Sequence, residues 1–496
     1  MIQYVDVVIV GAGLSGIGSA CHLQNLCPNK SYLILESRKS MGGTWDIFRY
    51  PGVRSDSDMH TLGYSFKPWC HEKAIADGPS ILNYLIETAK EYNIDQHIRY
   101  EQRVTKASWS TEHARWTIEI QRTDTGETVK YQCNFLLMCA GYYQYQAGYT
   151  PNFSGRERFK GQIVHPQKWP TDLNCQGKKI IVIGSGATAA TLVPELAKMA
   201  EQVVMLQRSP SYFLALPDRD IVANFLRKIL PEQWAYAITR WKNTSLQQFF
   251  YRATRTRPDK IKRFLLKRIG KTLGNKEAVD THFTPSYAPW DQRLCIVPNN
   301  DFFKAIKSGK ASVVTDHIDR FTETGVELAS GQSLEADIIV TATGLKLSVL
   351  GDTQFEVDDE PVNFSKTYTY KGIMCSGVPN LISTFGYINA SWTLHADLIA
   401  EYAGKIINHM DATGHRQCTP QLRDKDRNMS ARPWITDFSS GYIQRSMHLF
   451  PKQGDHEPWI NPQNYNRDKK LLRDKPIEDG VLIFNHSREA TKKPVK

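Results

Sequence analysis

Residues 5–16 read VDVVIVGAGLSG, and the order of residue types in that stretch decides the fold. An apolar run that ends in glycine is the pattern of a parallel strand buried on both faces. Gly11, Gly13 and Gly16 then give GxGxxG, and Ile17, Ala20 and Leu23 continue at helical spacing. A second apolar run, SYLILE, ends at Glu36, twenty residues after Gly16. Each part has a physical reason. Gly11 makes the tight turn, Gly13 lets a pyrophosphate approach the backbone, and Gly16 lets helix and strand pack closely. The helix N-terminus faces the phosphates, and Glu36 accepts from ribose hydroxyls. Gly11, Gly13, Ser15, Gly16 and Glu36 are therefore the candidate contacts of a first dinucleotide, FAD or NAD.

The pattern recurs at KKIIVIGSGATAATLVPELA, where Gly184, Gly186 and Ala189 give GxGxxA between a strand and a helix. The strand that follows, QVVMLQR, ends without an acid. Arg208 and Ser209 stand where Glu36 stands in the first unit. An arginine and a hydroxyl accept a 2′-phosphate that a carboxylate would repel, which selects NADPH. Gly184, Gly186, Ala187, Thr188, Arg208 and Ser209 are the candidate contacts. Two nicotinamide sites would share no chemistry, whereas a nicotinamide hydride reduces a flavin. FAD in the first site and NADPH in the second is the consistent pair.

The expected fold class is thus α/β, with two Rossmann-like dinucleotide-binding domains. FLLMCAG (135–141) and DIIVTATG (337–344) read as the strands that return from each domain to the hinge. RWTIEIQ, a TGE turn and TVKYQC read as a small β-meander, and DGPSILNYLIETAKEYNI as an amphipathic helix. The FAD domain is expected in two parts, 1–144 and 375–496. The NADPH domain is expected at 150–216 and 279–374, with a basic helical insert at 217–278.

Composition narrows the function classes. A chain of 496 residues exceeds one ordinary core. Its nine cysteines form no CxxC pair, which argues against a metal centre, a disulfide framework and a dithiol reductase. The N-terminus has no basic leader or cleavage site and no run is long enough to span a bilayer, so a cytoplasmic protein is expected, with a peripheral membrane position as an option. Net charge is +11, and residues 219–276 hold fifteen Lys and Arg against three acids, a local 15 − 3 = +12. No nucleic-acid-binding motif accompanies that charge. Helical spacing in IVANFLRKIL and PDKIKRFLLKRIGKTL sets Phe264, Leu265 and Ile269 beside Lys260, Arg263, Lys267 and Arg268. Such a helix fits either an anionic membrane surface or a solvated basic cover over the site. The polar, lysine-rich end beyond Glu489 is expected to fray.

Two longer patterns remain. FKGQIVHPQKWP (159–170) places Phe159, Gly161, His165 and Trp169 at FxGxxxHxxxW. GGTWDIFRYPGVRSD (42–56) has the form [AG]GxWxxxx[FY]P[GM]xxxD. Together with the two glycine loops they resemble the Baeyer–Villiger monooxygenases, class B flavoprotein monooxygenases, over most of the chain. GGTWDIFRYPG, RSDSDM, IGSGATA, PWDQRLC and GYINASWTL are closest to the branch of ethionamide-activating and proposed long-chain alkane monooxygenases.

The resemblance implies that NADPH reduces FAD and that O2 then gives a C4a-peroxyflavin. Its peroxide attacks a lipophilic ketone to yield an ester, or transfers one oxygen to a sulfide. Arg293 matches the family's active-site arginine and Asp56 the carboxylate that orients it, with a structural salt bridge as the alternative. An anion that decays when wetted needs a fixed positive charge and a dry pocket, and arginine supplies such a charge. His165 reads as an interdomain hydrogen-bonding residue, with direct catalysis as the alternative. Gly43 and Thr44 belong to the cofactor set, and Trp45 either lies near the flavin or packs in the core. Gln292 stands where the family often has a lysine that contacts NADPH, which leaves more of the 2′-phosphate to Arg208 and Ser209. Trp392 and Trp459 are candidates for the late domain's side of the pocket, with core packing as the alternative. Alkane hydroxylation on the same scaffold, or an uncoupled membrane-associated NADPH oxidase, are the competing readings. Oligomeric state and substrate chain length stay open.

Overall fold

The structure is a computed structural model and describes residues 2–486, so the lysine-rich end beyond Glu489 lies outside the described residues. Its first sheet is nine-stranded. The apolar run of the opening motif forms β1 (Gln3–Val10), followed by α1 (Leu14–Leu26) and β2 (Tyr32–Leu35). β1 lies parallel between β2 and a long strand, residues 128–138. That strand has two neighbours on its other side, because its two halves have different sequence character. Its alternating first half closes an antiparallel meander with the strands at 102–110 and 115–122. Its continuous apolar second half, Phe135–Met138, is buried and pairs in parallel with residues 381–383.

The second sheet has five strands, all parallel. Lys179–Ile183 is flanked by Gln202–Gln207 on one side and Ile338–Thr341 on the other. The FxGxxxH segment supplies its edge strand, Gln162–Val164, beside Ile338–Val340.

One expected boundary needs correction. The second unit is expected to run to residue 374, but Gln354–Val357 pairs in parallel with 106–109 of the first sheet. Phe355 is buried there and meets Trp116 edge-on. The chain therefore rejoins the first sheet about twenty residues earlier than its motifs indicate. The short strand at 354–357 carries no glycine motif to mark the crossing.

The insert folds as α2 (Ile221–Ile229), α3 (Glu232–Thr256) and α4 (Pro258–Leu273). Leu265 and Ile269 of α4 are buried, so the expected apolar stripe there faces the protein and only Phe264 is exposed. α3 is held by a buried ion cluster. Arg240 Nη2 and His22 Nε2 each lie 3.2 Å from the Asp397 carboxylate, and Ser65 N donates to it at 3.1 Å. Burial raises the Asp397 pKa, but the His22 hydrogen bond and the Arg240 charge more than offset this, and the net shift is downward. A depressed carboxyl stabilises the fold above its unfolded pKa of about 3.9 and loses that contribution as pH falls. Thermal unfolding followed from about pH 5 to pH 3 should show Tm falling more steeply for the native chain than for Asp397→Asn. Equal slopes would remove this residue from the account of acid stability.

Candidate active site

Both glycine loops line one cavity of about 830 Å³. Each loop is shaped by close backbone approach. Gly11 has φ of 103°, and a Cβ there would stand 2.6 Å from the Cys139 carbonyl oxygen. Gly184 has φ of 132°, and its Cβ would stand 2.3 Å from the Ala342 carbonyl oxygen. In each unit the first glycine therefore fits against the end of the returning strand. Gly186 differs, because a Cβ there would meet nothing within 4 Å. Its bare backbone faces open cavity, as an approaching pyrophosphate requires.

The helices that follow begin at Leu14 and Ala187, and neither has a side-chain cap or an acid in its first turn. Their free N–H groups and dipoles are matched to an anion. Glu36 is buried, and its carboxylate accepts from Ala12 N at 2.9 Å and Arg38 N at 3.0 Å. Burial raises its pKa, and these N–H groups offset only part of the shift. Gly43 lies against Gly13, where its Cβ would be 3.1 Å from the Gly13 Cα, so the GGTW segment folds over the first loop. Gly43, Thr44 and Trp45 all line the cavity, and Trp45 also packs on the first core. Ser15 Oγ accepts from Trp392 Nε1 at 2.7 Å, tying the loop to the helix Trp392–Thr413.

Arg208 is exposed and lines the cavity, with no ion pair among the described residues. Ser209 is exposed beside it and does not line the cavity, but its carbonyl accepts from Ser185 Oγ at 3.1 Å. Ala187, Thr188 and Gln292 line the same space.

Asp56 and Arg293 come together across 237 residues of sequence. Arg293 Nε and Nη2 donate to the two Asp56 oxygens at 2.5 and 2.8 Å. Each side chain keeps 29% exposure, so the pair is half-open to the cavity rather than sealed in a core. Burial works against the guanidinium charge, but the Asp56 carboxylate more than offsets it and holds the pKa above the usual arginine value. Arg54 and Asp301 make a second bridge at 2.5 Å, with the two charges exchanged between the units. Both pairs join the first-sheet unit to the unit carrying the second loop.

Tyrosines missed by the sequence reading complete this region. Tyr142 Oη and Tyr143 Oη are 2.5 Å apart, and the Tyr142 ring stacks on Trp392 at 5.2 Å. Burial raises the pKa of Tyr142, Tyr143 and Tyr442, so they remain neutral phenols. The run GYYQY directly after the first returning strand was the signal available.

The fingerprint around His165 lies apart from the cavity lining. His165 Nδ1 accepts from Gln167 N at 3.2 Å, which leaves Nε2–H to donate to the Gly344 carbonyl at 3.2 Å. Gly148 of the interdomain linker rests on the ring, where any Cβ would stand 1.9 Å from Cε1. Burial lowers the His165 pKa. Phe159 is buried with Phe321, and Gly161 lets Phe159 fold back beside Asp337. Trp169 packs against the second unit's core. Trp392 lines the cavity, while Trp459 is fully buried in the first core.

Comparison with known proteins agrees with this architecture. A profile of the flavin-binding monooxygenase-like family matches residues 5–407. The FAD-containing monooxygenase EthA of Mycobacterium tuberculosis is 50% identical over 485 residues, 98% of each chain. The probable FAD-binding monooxygenase AlmA of Acinetobacter baylyi is 44% identical over 497 residues, 100% of this chain and 99% of that one. An oxidized steroid monooxygenase bound to NADP superposes with a TM-score of 0.77 at 22% identity, covering 98% of this chain and 100% of that one. At that identity the superposition is a likeness of fold.

Proposed function

The chain belongs to the flavin-binding monooxygenase-like family, and from that premise we propose that it is an NADPH- and FAD-dependent monooxygenase of Baeyer–Villiger type. It inserts one oxygen atom of O2 into lipophilic ketones to give esters, and into sulfides as a secondary activity. The observation that carries this reading is the joint lining of one cavity by both glycine loops and the Arg293–Asp56 pair.

The residues present fit both cofactors. The first loop, its uncapped helix and Glu36 would hold FAD, with Gly43, Thr44 and Trp45 closing over it. The second loop and helix would hold NADPH, with Arg208, which lines the cavity, at the 2′-phosphate. When bound, the pair supplies a hydride from nicotinamide to flavin and a reduced flavin able to take up O2.

The chain's own work is electrostatic and steric. Arg293 is a fixed cation for negative charge that develops on oxygen. Asp56 occupies two of its donors and sets the plane of the fork, leaving Nη1 to bind the anion. Tyr142, Trp392 and Phe48 give that part of the cavity an apolar wall. Such a wall limits the water that would quench a charged oxygen species and suits a lipophilic substrate. His165 acts as a strut between the linker and the second returning strand, in line with the interdomain reading of its fingerprint.

Arg208→Ala should raise the KM for NADPH by about tenfold, the scale of one charge-assisted contact, and leave that for NADH nearly unchanged. Equal effects on the two would remove the 2′-phosphate assignment. The reaction itself is tested by incubating purified protein with FAD, NADPH and a series of methyl ketones, phenyl ketones, sulfides and alkanes. Esters from ketones support the proposal. Alcohols from alkanes without esters would move the assignment to a hydroxylase.

A further inference from the structure

α2 and α3 carry their amphipathicity inverted. The inner face of α3 is polar. Tyr236 Oη donates to the Tyr64 carbonyl, Arg240 meets Asp397, and Asn243 and Gln247 each donate to Asp58 at 2.9 Å. Its outer face is apolar. Trp234, Ile238, Trp241 and Phe249 follow one another at helical spacing, with Trp234 67%, Trp241 72% and Phe249 73% exposed. α2 repeats the pattern with Ile221, Phe225 and Ile229 at successive steps of four, and Ile221 is 78% exposed. A soluble helix shows water its polar face. Large apolar side chains exposed in one continuous array mark a surface built to be covered.

The charge around that array identifies the cover. α4, next in the chain, exposes Lys260, Arg263, Lys267 and Lys271. Residues 219–276 carry 15 − 3 = +12 charges in all. Tryptophan beside lysine and arginine is the composition of a helix that lies at a lipid headgroup boundary. No helix among the described residues is long and apolar enough to cross a membrane. We propose that the outer face of α2 and α3 docks in the plane of an anionic lipid bilayer, with the basic side chains of the insert meeting the headgroups.

The position of α3 gives this docking a consequence. The face opposite the apolar array grips Asp58, two residues from Asp56. Its last turns meet the other side of the pair, through Arg255 with Asp291 at 2.6 Å and Tyr251 against Trp290. The bilayer-facing helix therefore braces both loops that supply the Arg293–Asp56 pair. On the functional reading above, which this consequence alone requires, a substrate dissolved in lipid is met beside the site.

The docking is tested without any reaction, by flotation of the full chain with vesicles. One set is equimolar phosphatidylglycerol and phosphatidylcholine, and the other is phosphatidylcholine alone. The native chain should float with the anionic vesicles and much less with the neutral ones. The triple variant Trp234→Ser, Trp241→Ser, Phe249→Ser changes only exposed side chains and should keep native circular dichroism. Its partition should fall by at least about tenfold. Lys260→Glu, Lys267→Glu, Lys271→Glu should weaken binding to anionic vesicles and leave the residual binding less sensitive to salt. A native chain that does not float, or a triple variant that floats equally well, overturns the proposal. It is also overturned if sedimentation shows an oligomer that the triple variant breaks into monomers while neither form binds vesicles. The face would then be a contact between copies of this chain.

Discussion

Arg293→Ala is expected to leave FAD bound and its reduction by NADPH largely intact, and to lower oxygen insertion by about two to three orders of magnitude. The basis is the division of the site. Both glycine loops and Glu36 would hold the cofactors through backbone and side-chain groups that do not involve Arg293. The guanidinium is the charge held beside the aromatic wall, paired bidentately with Asp56. Removing it leaves the Asp56 carboxylate facing the place where negative charge develops, so the field there changes sign rather than merely weakening. Consumed NADPH should then appear as hydrogen peroxide. Asp56→Asn keeps the arginine but loosens its fork, and it should give a smaller loss in the same direction. Stopped-flow reduction of the flavin, with product and peroxide quantified in parallel, separates the steps. Normal ester yield from Arg293→Ala would sink the assigned role.

Gly16→Ala is expected to give protein without bound flavin. A Cβ at residue 16 would stand 1.8 Å from the Gly11 carbonyl oxygen and 3.6 Å from the Cys139 Cβ. The first clash is with backbone at the turn that supports the pyrophosphate, so no side-chain rotation relieves it. Either helix α1 moves away from β1 or the Gly11 turn opens, and both displace the N–H groups meant for the phosphates. Gly186→Ala is the informative contrast. Its methyl would enter open space, so the fold should persist and the KM for NADPH should rise. Visible absorbance of purified protein reads the first variant and steady-state kinetics the second. Full flavin content in Gly16→Ala would mean that the first loop tolerates a separation that the structure does not contain.

The two dinucleotide units were legible because they rest on local rules. Apolar runs, glycines at fixed offsets and helical spacing act over about thirty residues, and β1, α1 and β2 follow them directly. The return of Gln354–Val357 to the first sheet was not legible, since four residues of alternating character fit either sheet. The Arg293–Asp56 bond could not be read from spacing, as nothing local relates positions 237 residues apart. It came only through family resemblance, and the geometry now supplies its physical form. Trp392 and Trp459 were equivalent in sequence, but a hydrogen bond to Ser15 holds the first at the cavity and packing buries the second. The insert was legible only in part. Its basic charge was plain, but the helical spacing of α4, with Phe264, Leu265 and Ile269 beside lysine and arginine, fitted either a membrane face or a solvated basic cover. Most of the large apolar side chains of the insert that face outward are on α2 and α3, because polar partners such as Asp58 and Asp397 claim the inner side of α3.

On the proposed function, one oxygen atom of O2 enters a lipophilic ketone at the expense of NADPH. The most direct measurement uses purified protein, FAD, NADPH and a long-chain methyl ketone under isotopically labelled dioxygen, with the product examined by mass spectrometry. The expected product is an ester carrying a single labelled oxygen, formed in proportion to the NADPH consumed. NADPH oxidation with labelled hydrogen peroxide as the sole product, across methyl ketones of every chain length, would contradict it.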